Sequence, residues 1–328
     1  MSSLRSFIID TDGGVDDAIA IIAALNTKDI DLKAITTVSG NTDVLQATKN
    51  VQRLLDYFSS DQSIDLAQGA QKPLHFPLQM AGSIHGKDGL GELDTFVKPD
   101  GSAKYPSVSV KPHTVFAPDL ILQYAKELGS DLNIICIGPL TNIAIAVEKN
   151  REVMQSVGQI TIMGGAFYVP GNISPGAEFN FFVDPHAAQL VMEAGLNPVL
   201  VGLDVCTKMP LSRELLTFWR SQKQSAITEF LLDCTGIYMK FYQTAENFYG
   251  CYLHDPLAVE IAFSHDLGSY KHLFVGVEKM SSLTRGLSLT DSRARRDTIQ
   301  YPPNAMVCID IDHKKIMEGL TQKLVGSS

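Results

Sequence analysis

Four aspartates stand within eight positions near the start of the printed sequence. The segment 9–18, IDTDGGVDDA, carries them around a Gly-Gly pair, as Asp10, Asp12, Asp16 and Asp17. Like charges this close repel one another, so a fold keeps them together only if some stay protonated or a cation lies among them. A hard cation bound through oxygen ligands is the simplest arrangement that these residue types predict.

The residues on either side of the cluster predict its place in the fold. An apolar stretch, residues 7–9, precedes it, and a helix-forming run, residues 18–25, follows it. A strand, a loop and a helix in this order place the aspartates at the carboxyl end of a strand. Ligand sites in open α/β sheets lie at that end of the strands.

Three other interpretations of the cluster fit less well. An EF-hand loop needs a bidentate Glu at its twelfth position, and counting from Asp10 that position is Ile21. An aspartyl-phosphate phosphatase would use Asp10 as nucleophile and Asp12 as acid. Gly14 then stands where Thr or Ser is usual, and two aspartates are unexplained. An acidic helix start, favoured by the helix dipole, accounts for two of the four carboxylates at most.

Apolar runs rich in Ile and Val alternate with helical patterns over the first two hundred residues. Strands are expected at residues 7–10, 32–38, 133–137, 159–163 and 198–205, and helices at about 16–26, 44–57, 141–148 and 187–194. This alternation is typical of βαβ units. We therefore predict an α/β fold with an open, mainly parallel sheet flanked by helices, a Rossmann-like core.

The last third of the chain has a different pattern. A long helical region is expected at about residues 215–247, a short helix after the tripeptide HDP at 254–256, and strands near 273–277 and 305–309. The charged run RRD at 295–297 is expected to be a solvated face. Because no repeat, low-complexity tract or linker is visible, we expect one domain over residues 1–328 with an elaborated C-terminal helical and strand region.

Two segments between the predicted elements are long enough to be functional rather than connective. One covers about residues 71–106 and contains IHGKDGLG at 84–91. The other covers residues 164–185 and contains Gly171-Asn172 and Glu178-Phe179-Asn180. Glycine-rich segments of this kind are candidate active-site lids.

The composition limits the class of partner. With 45% hydrophobic and 19% charged residues, the 328-residue chain can bury a large core. The formal net charge of −9 argues against nucleic acid or an anionic membrane as the main partner, because both require clustered Lys and Arg. The longest apolar run, residues 18–25, is too short to span a bilayer.

The cysteines and the first residues predict the compartment. The five cysteines are widely spaced and form no C-x-x-C pair, which disfavours a disulfide framework and a structural zinc site. The first ten residues, MSSLRSFIID, lack the pattern of a signal peptide. We therefore expect free buried thiols and a cytoplasmic protein.

Seven further motifs resemble those of the nucleoside hydrolases of the inosine–uridine-preferring type, as does the D-x-D-x-G-x-D-D-A signature itself. They occur in that family's order and spacing over nearly the whole chain. The motifs are ITTVSGN at 35–41, IHG at 84–86, GPLTN at 138–142, MGG at 163–165, AEFN at 177–180, DP at 184–185 and HDP at 254–256. Each motif alone is a weak signal, but seven in register with the acidic motif indicate the family.

The resemblance implies a tightly bound Ca²⁺ at the carboxyl edge of the sheet. Its carboxylate ligands would be Asp12, Asp17 and Asp255, with a main-chain oxygen from Ile137. The family often has Thr at that last position, but a carbonyl ligand does not need the Thr side chain. A second departure is Gly13, where Pro is common, so the loop is expected to depend more on the metal for its order.

The resemblance also implies the reaction, which is hydrolysis of the N-glycosidic bond of a ribonucleoside to free base and ribose. Ca²⁺ would lower the pKa of a bound water and hold the ribose hydroxyls. Asp12 would take the proton of that water as general base, with inversion at the anomeric carbon. His254 would assist departure of the base, and Asn41 is placed with these catalytic residues.

The substrate-binding residues follow from the same resemblance. Asp16 would accept a hydrogen bond from a ribose hydroxyl, and such a site is expected to reject 2′-deoxyribonucleosides. The tyrosines and phenylalanines at 238–249 are partly core residues, and Tyr242 is expected in the wall around the base with Phe179 opposite. The full predicted set for substrate is Asp16, His85, Met163, Asn172, Glu178, Phe179, Asn180 and Tyr242.

Other functions stay open from the sequence alone. A catalytically weak protein could bind a nucleoside or ribose for sensing or transport, and a related enzyme could hydrolyse a non-nucleoside riboside. The intact set of predicted ligands and the base Asp12 favour activity on nucleosides. The sequence leaves open the choice between purine and pyrimidine bases and the role of the Arg285 to Arg296 region. A homodimer or homotetramer is expected from the resemblance.

Overall fold

The computed structural model describes residues 4–59, 63–106, 108–109, 111–291, 293 and 301–326. Within these ranges the main feature is an eight-stranded sheet accompanied by two small two-stranded sheets. The strands are β1 (Arg5–Thr11), β2 (Ile30–Thr37), β3 (Asp65–Gln68), β4 (Leu132–Cys136), β5 (Gln159–Met163), β6 (Val199–Val201), β7 (Pro210–Ser212), β8 (Gly250–Tyr252), β9 (Gly268–Leu273), β10 (Val275–Val277), β11 (Ser288–Thr290) and β12 (Ala305–Ile311).

The helices pack on both faces of this sheet. They are α1 (Val15–Leu25), α2 (Val44–Phe58), α3 (Gly82–His85), α4 (Ala117–Leu128), α5 (Thr141–Lys149), α6 (Arg151–Gln155), α7 (Phe179–Val183), α8 (Pro185–Glu193), α9 (Leu203–Cys206), α10 (Arg213–Gln222), α11 (Ala226–Glu246), α12 (His254–Phe263) and α13 (His313–Leu324). None of the helices in the described ranges is long and apolar enough to cross a membrane.

The strand order of the large sheet is β3-β2-β1-β4-β5-β6-β12-β9. Neighbouring strands are parallel except at β9, which runs antiparallel to β12. The chain winds from β1 outward to β3 and then returns to β4, on the other side of β1. This reversal makes a switch point between β1 and β4, where a crevice forms outside the carboxyl ends of the two strands.

Strand β1 is covered on both faces, which explains its continuous apolar sequence. Phe7 and Ile9 belong to one apolar cluster and Ile8 to the other, and all three side chains are fully buried. The first cluster contains residues of α1, α11, α12 and α13, and the second contains residues of α4, α5 and α8. The predicted α/β fold with an open, mainly parallel sheet is confirmed.

The expected strand at residues 198–205 was partly wrong. Strand β6 ends at Val201, and after Gly202 the chain turns into the short helix α9. The Asp204 carboxylate in α9 accepts hydrogen bonds from the backbone N–H groups of Phe167 and Tyr168, at 3.0 and 2.8 Å. A short apolar run is compatible with either a buried strand or a buried helical turn. Here the hydrogen bonds of Asp204 to a distant loop stabilise the helical turn.

The single helical region expected at residues 215–247 is two helices, α10 and α11. Lys223 has an extended backbone, and Ser225 then caps α11 by accepting a hydrogen bond from the Thr228 N–H at 3.2 Å. A serine followed by helix-forming residues is a helix start signal. The charged run at 295–297 lies outside the described residues. The five cysteines lie within them, and each is a buried free thiol.

Candidate active site

The loop between β1 and α1 is organised by the Asp17 side chain. Its carboxylate accepts hydrogen bonds from the backbone N–H of Gly14 at 2.8 Å and of Asp12 at 3.2 Å, and from the Thr11 hydroxyl. Gly13 lies between them with a φ of +73°, and a Cβ there would be 2.7 Å from the Cα of Ala47. A left-handed backbone pressed against α2 excludes proline, which explains why this loop carries glycine at residue 13.

Asp12 lies at the carboxyl end of β1 and is fully buried. Asn41 donates hydrogen bonds to both carboxylate oxygens of Asp12, from the Asn41 backbone N–H at 2.7 Å and from the Asn41 side-chain amide at 3.0 Å. Gly40 makes this approach possible, because a Cβ at residue 40 would overlap the Oδ2 of Asp12. Burial, and next the charge of Asp17, raises the pKa of Asp12 well above its usual range.

Three carboxylates meet within 4.8 Å of one another, those of Asp16, Asp17 and Asp255. All three are buried, and Asp255 comes from the first turn of α12. Burial, followed by the Asp17 charge, raises the pKa of Asp16 to about 8. Burial, followed by the neighbouring aspartates, raises the pKa of Asp255 well above its usual range. Without a cation, this arrangement would have to retain protons.

The donor set fits a hard cation. Asp16 Oδ1 is buried and has no hydrogen-bond partner among the residues that the structure describes. The cavity beside the cluster is lined by described residues that include no lysine or arginine. The ligand atoms on offer are all oxygens, which is the chemistry that Ca²⁺ prefers. A cation among these carboxylates would offset the repulsion between their negative charges.

The Ile137 carbonyl lies across the switch point from β1. The backbone N–H of Ile137 donates to the carbonyl of Asp10 at 2.8 Å, which extends the pairing of β4 with β1. The Asn180 side-chain amide lies 3.4 Å from the Ile137 oxygen and 3.2 Å from the Met163 oxygen. Asn180 therefore connects α7 to the carboxyl ends of β4 and β5.

A cavity of about 560 Å³ opens above the aspartates, a size typical of small-molecule sites. Asp12 and Asp17 lie behind its wall, where both accept hydrogen bonds from Asn41. The other predicted site residues all line it: Asp16, Asn41, His85, Ile137, Met163, Asn172, Glu178, Phe179, Asn180, Tyr242, His254 and Asp255. The fold thus brings together residues from distant parts of the sequence.

One part of the cavity wall consists of two histidines and two tyrosines, His85, Tyr238, Tyr242 and His254. The His85 ring stacks on Tyr238 with centroids 4.8 Å apart and planes at 28°. Its Nδ1 accepts a hydrogen bond from the backbone N–H of Val15 at 3.1 Å, so neutral His85 carries its proton on Nε2. Burial, and next the positive form of His254, lowers the pKa of His85 to about 3.

His254 forms a hydrogen bond through Nε2 with the Tyr242 hydroxyl, at 3.1 Å. Burial raises the pKa of Tyr242 and lowers that of His254 to about 4, so both side chains are neutral near pH 7. When Tyr242 donates this bond, the imidazole keeps its proton on Nδ1. That nitrogen is buried and has no hydrogen-bond partner among the described residues.

Comparison with known proteins identifies the family. A model of the inosine-uridine preferring nucleoside hydrolases matches residues 7–318. The chain belongs to this family. The probable uridine nucleosidase 2 of Arabidopsis thaliana is 32% identical over 98% of both chains. The pyrimidine-specific ribonucleoside hydrolase RihA of Citrobacter koseri is 34% identical over 97% of both chains.

Solved structures of nucleoside hydrolases have the same fold. A plant nucleoside hydrolase matches with a TM-score of 0.90 at 31% identity, over 99% of this chain and 100% of that one. The purine-preferring ribonucleoside hydrolase from Gardnerella vaginalis matches with a TM-score of 0.88 at 29% identity, over 98% of both chains. This member of the nucleoside hydrolase family is therefore an enzyme that splits ribonucleosides into base and ribose.

Two of the predicted substrate residues, Glu178 and Asn172, also stabilise the conformation of the loop at residues 164–183. Glu178 caps α7, and its carboxylate accepts hydrogen bonds from the backbone N–H groups of Asn180 and Phe181, at 2.7 and 3.2 Å, and from that of Gly165 at 3.1 Å. Asn172 accepts a hydrogen bond from the Phe179 N–H at 2.9 Å. Burial raises the pKa of Glu178 to about 7. Both residues line the cavity while using their oxygens within the loop.

Sequence reasoning missed Tyr238 as a site residue and left it among aromatic residues that are partly core. Its side chain is almost fully buried, yet it lines the cavity, and its hydroxyl lies 3.5 Å from Asp16 Oδ2. The signal was the spacing of four between Tyr238 and Tyr242, which places both rings on one face of α11. That spacing indicates a shared face but does not tell whether the face meets the core or a cavity.

Proposed function

We propose that this enzyme binds the ribose of a nucleoside on the aspartate cluster and the base against the wall formed by His85, Tyr238, Tyr242 and His254. One observation carries the proposal: a single cavity of about 560 Å³ borders both groups. Ribose needs hydrogen-bond acceptors for its hydroxyls, and a planar base needs aromatic surface and a proton donor. The two groups of residues supply these two chemistries.

We assign Ca²⁺ to a site with Asp12, Asp17, Asp255 and the Ile137 carbonyl as ligands, of which Asp17 and Asp255 belong to the buried group of three carboxylates. The support is the buried, all-oxygen donor set and the lack of lysine and arginine among the described residues that line the cavity. When bound, Ca²⁺ lowers the pKa of a water molecule and orients ribose hydroxyls. Asp16 contributes a carboxylate to the same group of acidic side chains, and we assign it to the ribose.

Asp12 is the proposed general base. Asn41 donates to both of its oxygens, which fixes the plane of the carboxylate. A fixed carboxylate can take the proton of an attacking water without first reorienting. Direct attack by water leaves no covalent sugar intermediate, so we expect inversion at the anomeric carbon.

The ribose is held by acceptors and donors around the cluster. Asp16 Oδ1 is buried and has no hydrogen-bond partner within the described part of the chain, and a ribose hydroxyl would donate to it. Asn180 lines the cavity beside the Ile137 carbonyl, and we assign it to the ribose on that side. A site built for hydroxyl groups leaves buried polar atoms unpaired when one is missing. We therefore expect 2′-deoxyinosine to react about 10⁴-fold more slowly than inosine, measured as kcat/KM.

His254 is the residue that we assign to assist departure of the base. Neutral His254 with its proton on Nδ1 would donate a hydrogen bond to the base, while Tyr242 donates to Nε2. The Tyr242 hydroxyl holds the imidazole in this tautomer, so that the Nδ1 proton is available to hydrogen-bond the departing base. Phe179 lines the same cavity and supplies further aromatic surface. Replacing His254 with Ala should lower kcat for inosine hydrolysis at least about 100-fold.

The first experiment is ribose release from inosine and from uridine by wild type, Asp12→Asn and Asp119→Asn, each with and without chelator. Asp119 is a matched control, because it is an exposed aspartate of α4 that pairs with Lys149 of α5. We expect wild-type and Asp119→Asn turnover that chelation abolishes and calcium restores. Asp12→Asn should lose at least about 100-fold in kcat, even with calcium present.

Two outcomes of this experiment would contradict parts of the proposal. No ribose release from either nucleoside by calcium-loaded wild type would point to a binding role or to another riboside as substrate. Full activity after metal stripping would contradict the calcium assignment while leaving the reaction intact. The relative rates with inosine and uridine would establish the base preference, since the named relatives include both pyrimidine-specific and purine-preferring enzymes.

We also propose a cytoplasmic homodimer or homotetramer. The five buried free thiols suit a reducing compartment. Light scattering coupled to size-exclusion chromatography of the purified protein would measure the assembly, and a mass equal to the 35.8 kDa of one chain would contradict it.

A further inference from the structure

Residues 285–288, here termed the clamp segment, lie against the loop that supplies much of the cavity wall. They belong to the Arg285 to Arg296 region, whose role the sequence leaves open. Leu287 pairs with Ala177 in an isolated antiparallel bridge. The clamp segment therefore contacts the loop 164–183 directly, although the two are distant in the sequence.

Arg285 contacts two aromatic rings and one backbone carbonyl. Its guanidinium lies between two aromatic rings, 3.8 Å from the centroid of Phe76 and 4.4 Å from that of Phe182. Its Nη2 also donates to the carbonyl of Val183 at 3.0 Å. Val183 is the last residue of α7, where helix carbonyls lack partners inside the helix. Arg285 thus stacks on Phe182 of α7 and donates a hydrogen bond to the last carbonyl of that helix.

The next residues of the clamp segment fix both ends of the loop. Gly286 has a φ of +75°, and a Cβ there would lie 2.5 Å from the Cα of Phe182. Only glycine allows this approach. Ser288 accepts a hydrogen bond from the Ala166 N–H at 2.8 Å and donates to the Ala166 carbonyl at 2.9 Å. The loop is therefore held at Ala166 and again at α7.

Helix α7 needs such support because it has only five residues. A helix of this length is not stable by itself and depends on packing. It carries Phe179 and Asn180, and the Asn180 amide reaches the carbonyls of Ile137 and Met163. A shift of α7 would therefore move the Asn180 donor and one aromatic wall of the cavity together.

We propose that Arg285 is a positioning residue: by stacking between Phe76 and Phe182 and binding Val183, it holds α7 so that Asn180 and Phe179 face the substrate. The inference rests on the proposed function, because it assumes that these two residues contact the nucleoside. Arg285 itself takes no part in the chemistry. A lysine would keep the charge but cannot stack a planar group between two rings.

The test compares Arg285→Ala and Arg285→Lys with wild type in the full-length, calcium-loaded protein. Arg220→Ala is the matched control, since Arg220 forms an exposed ion pair with Glu229 on α11. Phe76→Leu is a milder variant that keeps the arginine and removes one stacked ring. The readouts are kcat and KM for ribose release, rescue by guanidinium, and hydrogen–deuterium exchange of the peptides that cover residues 164–183 without substrate.

We expect Arg285→Ala to lower kcat/KM about 100-fold, because a misplaced binding group costs this much. Guanidinium chloride at tens of millimolar should restore at least tenfold, whereas equal sodium chloride and the Arg285→Lys substitution should not. Exchange at residues 164–183 should rise at least tenfold in Arg285→Ala and less in Phe76→Leu. Arg220→Ala should match wild type in every readout.

Unchanged exchange at residues 164–183, or a uniform rise along the whole chain, would overturn the proposal. A local rise with kcat/KM within twofold of wild type would also overturn it. If Arg285→Ala does not fold, the Phe76→Leu variant decides by the same criteria. If wild type releases ribose from no nucleoside, the proposed function has failed, and the exchange measurement alone then decides whether Arg285 holds the loop.

Discussion

Replacement of Asn142 with alanine removes three buried hydrogen bonds directly below the aspartate cluster. The Asn142 amide donates to Asp10 Oδ1 at 2.7 Å and to the Thr37 carbonyl at 2.9 Å. Its oxygen accepts a hydrogen bond from the Ala70 N–H at 2.9 Å. The side chain is fully buried, so water cannot replace these partners without entering the core. One residue thus connects α5 to the carboxyl ends of β1, β2 and β3.

The expected loss of stability follows from these contacts. Each neutral bond contributes about 1 kcal/mol net, and a buried donor left without a partner costs about 1–3 kcal/mol. The Ala70 N–H would be such a donor, whereas Asp10 Oδ1 keeps its bond from the Thr36 hydroxyl. We therefore expect Asn142→Ala to lower the free energy of unfolding by about 3–5 kcal/mol.

Equilibrium urea unfolding measures this loss, followed by circular dichroism and by the fluorescence of Trp219, the single tryptophan. Coincident transitions in both signals justify a two-state treatment. All samples contain chelator, because metal binding to the folded state would add stability. The matched control is Asn133→Ala on β4, whose amide makes one bond of 3.3 Å to the Ser6 carbonyl and should cost below about 1 kcal/mol. A loss for Asn142→Ala no larger than that of the control would refute the reasoning.

Three other predictions concern the cavity. Burial raises the pKa of Glu178 from 4.5 to about 7. Between these pH values the folded protein keeps a proton on Glu178 that the unfolded chain has lost. The contribution of Glu178 to the free energy of unfolding therefore falls as the pH rises. The free energy of unfolding of Glu178→Gln, relative to wild type, should therefore rise by about 3 kcal/mol across this window, measured by urea unfolding at several pH values. Tyr242→Phe should lower kcat for ribose release at least about tenfold, because His254 loses its donor, while exposed Tyr249→Phe should not. Asp255→Asn should weaken calcium binding at least about tenfold in calorimetric titration, and unchanged affinity would remove Asp255 from the ligand set.

The elements that the sequence predicted well are those that a local pattern defines. The strand expected at residues 159–163 coincides with β5, and the helix expected at 141–148 is α5 extended by one residue. Strand β5 places Ile160 and Ile162 in one apolar cluster and Met163 in the other, and α5 repeats its apolar residues at helical spacing. Such patterns arise from neighbours in the sequence, so they can be read without knowing the rest of the fold.

The candidate site residues came from two kinds of inference. Asp12 and Asp17 share one loop, so their proximity is a local property of the segment 9–18. Asp255, Asn180 and Ile137 were assigned only by resemblance to the nucleoside hydrolases. Their place around one cavity comes from the strand order, which brings the ends of β1, β4 and β5 and the start of α12 to one edge.

The position of the Arg285 side chain could not be predicted from a local sequence pattern. Its position in the sequence suggests an ordinary charged residue, and only packing places it between Phe76 and Phe182.

The sequence by itself determined the acidic loop, the alternation of strands and helices, and the chemistry that oxygen-rich side chains favour. The tertiary structure alone decided that Tyr238 lines a cavity as well as packing in the core, that α9 interrupts an apolar run, and that α7 is held by residues outside the loop. The physical reason is that local preferences act over a few residues. Contacts between distant segments depend instead on how the sheet orders its strands and how closely side chains pack.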